Sequence, residues 1–182
     1  YRYPAEKTVT IYNGIDLTPF SDGTVPQGRP VDARDSTADR IEGIICVARL
    51  SPVKRIDVLL EALALLVEKG NNWTCAIVGG GPLESELVKK AQSLGLASRV
   101  RFTGHVENVR SYMEAADLAV LSSDKEGLPL SLAEAMACGL PCVVTDVGGN
   151  REVVQHGITG LVVEAGSPKQ LADAIAYLLD HD

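Results

Sequence analysis

The chain has 182 residues, 46% of them hydrophobic and 23% charged, with a formal net charge of −7. That length and apolar content suffice for a substantial core and point to one globular domain over 1–182. The acidic balance argues against a general nucleic-acid or membrane-surface binder. The longest apolar run, 58–67, is interrupted by Glu61, so no transmembrane segment is expected.

Tyr1 opens the chain with neither methionine nor a signal peptide, so the chain is expected to be part of a longer protein. Residues 8–12, Thr-Val-Thr-Ile-Tyr, can form a strand, and Asn13-Gly14 would ordinarily mark a tight hairpin. The return strand is missing, because residues 15–20 lead into a polar tract. Residues 21–42 are rich in Asp, Arg, Gly, Pro and Thr and read as a long surface loop.

From Gly43 the pattern alternates strand and helix. Residues 44–48 form a buried strand, and 49–55 the turn after it. Residues 56–69 form a helix with Ile56, Leu59, Leu60, Leu63, Leu66 and Val67 on one apolar face. Strand 74–78 leads through Gly79-Gly-Gly-Pro82 to a helix over 83–94. Strand 100–103 is followed by Gly104-His-Val-Glu107 and a helix through Ala116. Residues 117–122 read as the next buried strand, 124–129 as a loop, and a helix starts near Leu130 and stops at Gly139 and Pro141. Strand 142–145, a turn over 147–150, a short helix over 151–155, strand 160–163 and a helix over 167–179 complete the chain. Ser167 suits the last helix's cap and Pro168 its first position. Such alternation predicts an α/β fold with a doubly wound, Rossmann-like parallel sheet. Its ligands are expected beyond the carboxyl ends of the strands, where the Gly-rich turns fall.

The stretch from Asp124 to Pro141 has the parts of an anion-binding corner. A helix beginning near Leu130 presents free backbone N–H groups and the positive end of its dipole above a strand end, which suits a phosphate. Gly127 lets a ligand approach the backbone. Glu126 and Glu134 bracket the corner and could accept hydrogen bonds from sugar hydroxyls on either side of a diphosphate. From spacing alone they read equally well as solvated charges. Arg49 and Lys54 lie between a strand end and a helix start, where Arg can grip a diphosphate bidentately and Lys can act as a point charge. By position alone, Lys54 and Arg55 are more simply solvated loop cations. Gly79-Gly-Gly-Pro-Leu-Glu84 is not a dinucleotide fingerprint, because that pattern needs glycine at 84 and an acidic residue after the next strand. Cys46, Cys75, Cys138 and Cys142 lack zinc spacing and read as reduced core thiols, which favours a cytoplasmic setting.

The Glu126-x7-Glu134 pair enclosing Gly-Leu-Pro-Leu, followed by Ala-Met-Ala-Cys-Gly, resembles the donor-site signature of retaining, nucleotide-sugar-dependent glycosyltransferases of the GT-B fold. Arg49-Leu-Ser-Pro-x-Lys54, Val78-Gly-x-Gly-Pro82 and Val-Thr-Ile-Tyr-Asn-Gly-Ile-Asp16 resemble further stretches of the same family. The likeness runs from Val9 to about Leu179, apart from 21–42.

The resemblance implies the carboxyl-terminal donor domain of such an enzyme, with the acceptor domain absent from this chain. Glu126 would face the sugar and Glu134 the ribose. Gly127, Leu128, Pro129 and Leu130 would offer amides to sugar and phosphates, and Arg49 and Lys54 would hold the departing diphosphate. Val106 would lie beside the base. Arg55 stands where many members have glycine, His105 reads as a surface or packing residue, and Gly148, Gly149 and Glu152 resemble an element without an assigned contact. No metal or other cofactor is implied; the substrate would be a UDP-, GDP- or ADP-sugar. The acceptor would be a glycan, lipid or small molecule, with the parent protein peripheral at a membrane. The alternatives on the same fold are a nucleotide-sugar epimerase and a non-catalytic nucleotide-binding module.

Overall fold

A computed structural model describes residues 43–68 and 73–180. The expected strand 8–12 and the surface loop 21–42 lie outside the described residues. Among the described residues six strands alternate with six helices: β1 (Gly43–Val47), α1 (Ile56–Glu68), β2 (Thr74–Val78), α2 (Glu84–Ser93), β3 (Val100–Gly104), α3 (Val109–Glu114), β4 (Leu118–Leu121), α4 (Leu130–Ala137), β5 (Cys142–Thr145), α5 (Asn150–Val153), β6 (Gly160–Val163) and α6 (Pro168–Asp180). A short 3-10 turn, Pro52–Lys54, precedes α1.

All five strand pairings are parallel, in the order β3-β2-β1-β4-β5-β6. The order reverses between β1 and β4, which pair Ile44 with Leu118 and Ile45 with Ala119. In an open parallel sheet the loops leaving two such strands diverge to opposite faces and leave a crevice between them.

Consecutive residues of a strand point to opposite faces, yet Ile44, Ile45 and Cys46 are all 0% exposed, so helices cover both sides of β1. α1 packs against α6 and α2, while α3 and α4 pack together and against β1, β4 and β5. On α1 the expected stripe is buried except for Val67, which is 39% exposed in the last turn. Val58 and Ala62 are buried as well, because α1 has helices beside it in addition to the sheet. The Ser167 hydroxyl accepts from the Gln170 N–H at 3.4 Å, capping α6 as the sequence suggests.

The four cysteines are buried and unpaired. Burial pushes the Cys46 and Cys142 thiols up to about 12 and raises Cys75 and Cys138 too, so none is a thiolate near neutral pH. Among the described residues, no helix is long and apolar enough to cross a membrane.

Candidate functional site

The crevice at the switch point gathers the turn after β1, the loop after β4 and the turn after β5. The first two are tied together by backbone. The fully buried Ser122 hydroxyl donates to the carbonyls of Lys54 and Arg55 at 3.0 and 2.9 Å. The Asp124 N–H donates to the Val53 carbonyl at 2.9 Å. These bonds fix the height of the β1 turn relative to the β4 loop.

Across this junction Lys54 Nζ donates to Glu126 Oε1 at 2.6 Å, with the two side chains only 21% and 8% exposed. The Ser123 hydroxyl donates to the same Glu126 oxygen at 2.5 Å. Two residues expected on different parts of a ligand, Lys54 and Glu126, therefore touch one another. Arg49 stands apart: it is exposed, and among the described residues its guanidinium has no hydrogen bond or ion pair.

Arg55 has a different task. It sits at φ +47°, the left-handed region that glycine enters without strain, at the junction between the 3-10 turn and α1. Its guanidinium bridges Asp57 and Asp124. Hydrogen bonds from Arg55 to Asp57 and then to Asp124 push its pKa further up. Burial raises the Asp57 carboxyl, but the Arg55 hydrogen bond and charge outweigh it and hold the group below its ordinary value. Arg55 is thus committed to the protein.

The floor of the Glu126 loop comes from the turn after β5. The Gly149 N–H donates to the Gly127 carbonyl at 3.0 Å. A Cβ at Gly148, which lies at φ +48°, would stand 1.8 Å from the Glu126 carbonyl oxygen. Only glycine allows that approach. Thr145 Oγ1 donates to the Ser123 carbonyl at 2.6 Å, and Asn150 Nδ2 donates to the Thr145 carbonyl at 2.9 Å. Both residues are buried, and Asn150 Oδ1 is a buried acceptor with no partner among the described residues. The glycines of the β2 turn serve a comparable end: Cβ atoms at Gly79 and Gly81 would run into the Ala48 and Leu50 carbonyls.

Above this floor the protein leaves room. A Cβ at Gly127 would meet nothing within 4 Å. Gly127 is exposed, Leu128 half-buried, Pro129 buried and Leu130 41% exposed. No side chain caps α4, whose first turn begins at Leu130. Glu134 lies one turn further along α4, half-buried, and no hydrogen bond or ion pair to its carboxylate occurs among the described residues. Val106, after β3, packs partly against the core; His105 beside it is exposed. Among the described residues, no group of three His, Cys, Asp or Glu side chains is placed to hold a metal ion.

Ser122, Ser123, Thr145 and Asn150 were not singled out in the sequence. The signal available for the first three was their position, polar residues at the carboxyl ends of two apolar strands, β4 and β5, that are neighbours in the sheet; Asn150 opens α5 after the glycine turn.

A doubly wound parallel sheet in the order 3-2-1-4-5-6, flanked by helices, matches the fold of solved GT-B glycosyltransferases. Residues 34–182 match the family Glycosyl transferases group 1, and the chain belongs to that family. It is 34% identical over 176 residues to N-acetyl-alpha-D-glucosaminyl L-malate synthase of Bacillus anthracis, covering 97% of this chain and 45% of that protein. It is 37% identical over 145 residues to a GDP-mannose-dependent alpha-(1-6)-phosphatidylinositol monomannoside mannosyltransferase of Mycobacterium tuberculosis, covering 75% of this chain and 38% of the relative. Among solved structures, Anabaena Alr3699/HepE in complex with UDP superposes with a TM-score of 0.80 at 30% identity, over 97% of this chain and 49% of that one. The same protein has been solved with UDP-glucose. The chain spans less than half the length of these proteins. The matches support glycosyl transfer and lend nothing to the epimerase reading.

Proposed function

We propose that this chain is the donor-binding domain of a glycosyltransferase that moves a sugar, of the hexosyl class, from a nucleoside diphosphate sugar to an acceptor with retention of configuration. The observation that carries the proposal is the Lys54–Glu126 pair on the loop that leads, through the open position of Gly127, to the uncapped start of α4. A diphosphate laid there would meet helix N–H groups and Arg49, which is exposed and has no ion pair among the described residues, with Glu126 and Glu134 on either side of it.

In this reading Glu126 accepts from sugar hydroxyls and Glu134 from ribose hydroxyls. The amides of 127–130 contact sugar and phosphate, and Val106 lies beside the base. Arg49 and Lys54 stabilise the charge that develops on the departing diphosphate, the main electrostatic demand of the reaction. No metal is assigned to the step. The HepE complexes with UDP and UDP-glucose support a nucleotide sugar as substrate. Acceptor recognition, whether of glycan, lipid or small molecule, is assigned to residues outside this chain. The chain alone should therefore bind donor and transfer nothing, since catalysis needs both reactants held together.

The test is calorimetric titration of the chain with UDP, GDP and ADP, and with their glucose or mannose derivatives. Saturable binding of at least one diphosphate and its sugar is expected. Binding of none would overturn the proposal.

A further inference from the structure

Glu126 is held at one oxygen only. Oε1 receives both the Ser123 hydroxyl, at 2.5 Å, and Lys54 Nζ, at 2.6 Å, while no hydrogen bond to Oε2 occurs among the described residues. A carboxylate oxygen has two acceptor positions, so these two donors fill Oε1 and leave Oε2 as the acceptor for a ligand. Ser123 is 0% exposed and cannot itself reach a ligand. It is also fixed from behind: its carbonyl accepts from Thr145 Oγ1, and the Thr145 carbonyl accepts from Asn150 Nδ2. Lys54 ends a flexible four-carbon stem, whereas the serine hydroxyl has one rotatable bond on a buried backbone.

We propose that Ser123 is a positioning residue that locks the Glu126 carboxylate at Oε1, so that Oε2 is presented to the sugar of a nucleotide-sugar donor. This rests on the donor-site reading given above. Ser123 governs discrimination between a nucleoside diphosphate and its sugar, not affinity for the nucleotide. Without the hydroxyl the carboxylate turns about its last side-chain bond, and Lys54 alone does not fix the plane. The bare diphosphate does not engage Glu126, so its affinity is indifferent to Ser123.

A double-mutant cycle tests this: wild type, Ser123→Ala, Glu126→Ala and the double variant, each titrated with UDP and UDP-glucose, and with the GDP–mannose and ADP–glucose pairs if UDP does not bind. Ser123→Ala should weaken the sugar nucleotide roughly tenfold, the scale of a hydrogen bond to a charged group, with UDP affinity unchanged. In the Glu126→Ala background the serine substitution should have no further effect. Ser123→Thr, which retains the hydroxyl, should restore selectivity; thermal unfolding of each variant establishes that it folds. Equal losses for UDP and UDP-glucose, or additive effects of the two substitutions, would overturn the role of Ser123. Failure of the wild type to bind any of the ligand pairs would overturn the donor-site reading and this inference with it.

Discussion

Lys54 Nζ and Glu126 Oε1 lie 2.6 Å apart although 72 positions of sequence separate them, because β1 and β4 are neighbours in the sheet. The contact joins the two loops that open the crevice. It also sets Lys54 apart from Arg49 in the β1 turn, since Lys54 is compensated by Glu126 while Arg49 is exposed and unpaired among the described residues.

Removing the lysine should therefore cost stability. Lys54→Met strands a carboxylate whose side chain is only 8% exposed, and the expected loss is about 1–3 kcal/mol. A Lys54→Met/Glu126→Gln double variant should recover most of it, because Ser123 can still donate to the neutral amide oxygen. Chemical denaturation of the three proteins measures this. A double variant less stable than Lys54→Met would contradict the pairing's importance.

Arg49 should matter for ligand and not for fold. Arg49→Ala is expected to leave the unfolding midpoint unchanged and to weaken a nucleoside diphosphate by roughly 1.5–3 kcal/mol, the scale of a charge-assisted hydrogen bond. The free nucleoside should bind almost as before. Titration of both ligands decides, and equal losses would place Arg49 away from the phosphates.

Gly148 supports the Glu126 loop by close backbone approach. Gly148→Ala puts a Cβ against the Glu126 carbonyl at a positive φ, so the expected destabilisation is about 2–4 kcal/mol, with weakened sugar-nucleotide binding. Gly139→Ala is the comparison: φ is +80° there, but nothing lies within 4 Å, and the expected cost is only about 1 kcal/mol. Thermal unfolding of the two variants should separate clash from backbone strain.

At position 55 two small effects oppose. Arg55→Ala loses the ion pairs to Asp57 and Asp124 and keeps a Cβ at φ +47°, whereas Arg55→Gly loses the pairs but relieves the strain. The glycine variant should be the more stable by about 1 kcal/mol. The folded pKa of Asp57 is lowered, so its contribution is present above the ordinary carboxylate value and lost as pH falls through the lowered one. The gap between wild type and Arg55→Ala should accordingly shrink below roughly pH 4. Denaturation curves at neutral and acid pH would reveal it.

Strand and helix positions were legible because apolar runs and their breakers are local signals. Thr74–Val78, Cys142–Thr145 and Gly160–Val163 fall where the sequence placed them, and other boundaries shift by a residue or more. Strand order was not legible, because alternation requires parallel strands without saying which are neighbours. For the same reason Lys54 and Glu126 could each be nominated from its own loop, but their contact could not. Gly148 illustrates the limit: its need for glycine arises from the Glu126 carbonyl, 22 positions earlier, at a distance that only the folded sheet sets. The positive φ of Arg55, a backbone state that favours glycine, was likewise set by the fold and could not be read from the local sequence.

In the proposed donor site the corner divides a nucleotide sugar, with its sugar at Glu126 and its ribose at Glu134. Calorimetry on Glu126→Ala and Glu134→Ala, each with a nucleoside diphosphate and the corresponding nucleotide sugar, tests it most directly. Glu134→Ala should weaken both ligands by a similar amount, of order 1–3 kcal/mol, since both carry the ribose. Glu126→Ala should weaken only the nucleotide sugar. It should leave the bare diphosphate unchanged or slightly tighter, because Lys54 is released from its partner. An equal loss of both ligands in Glu126→Ala would contradict the division.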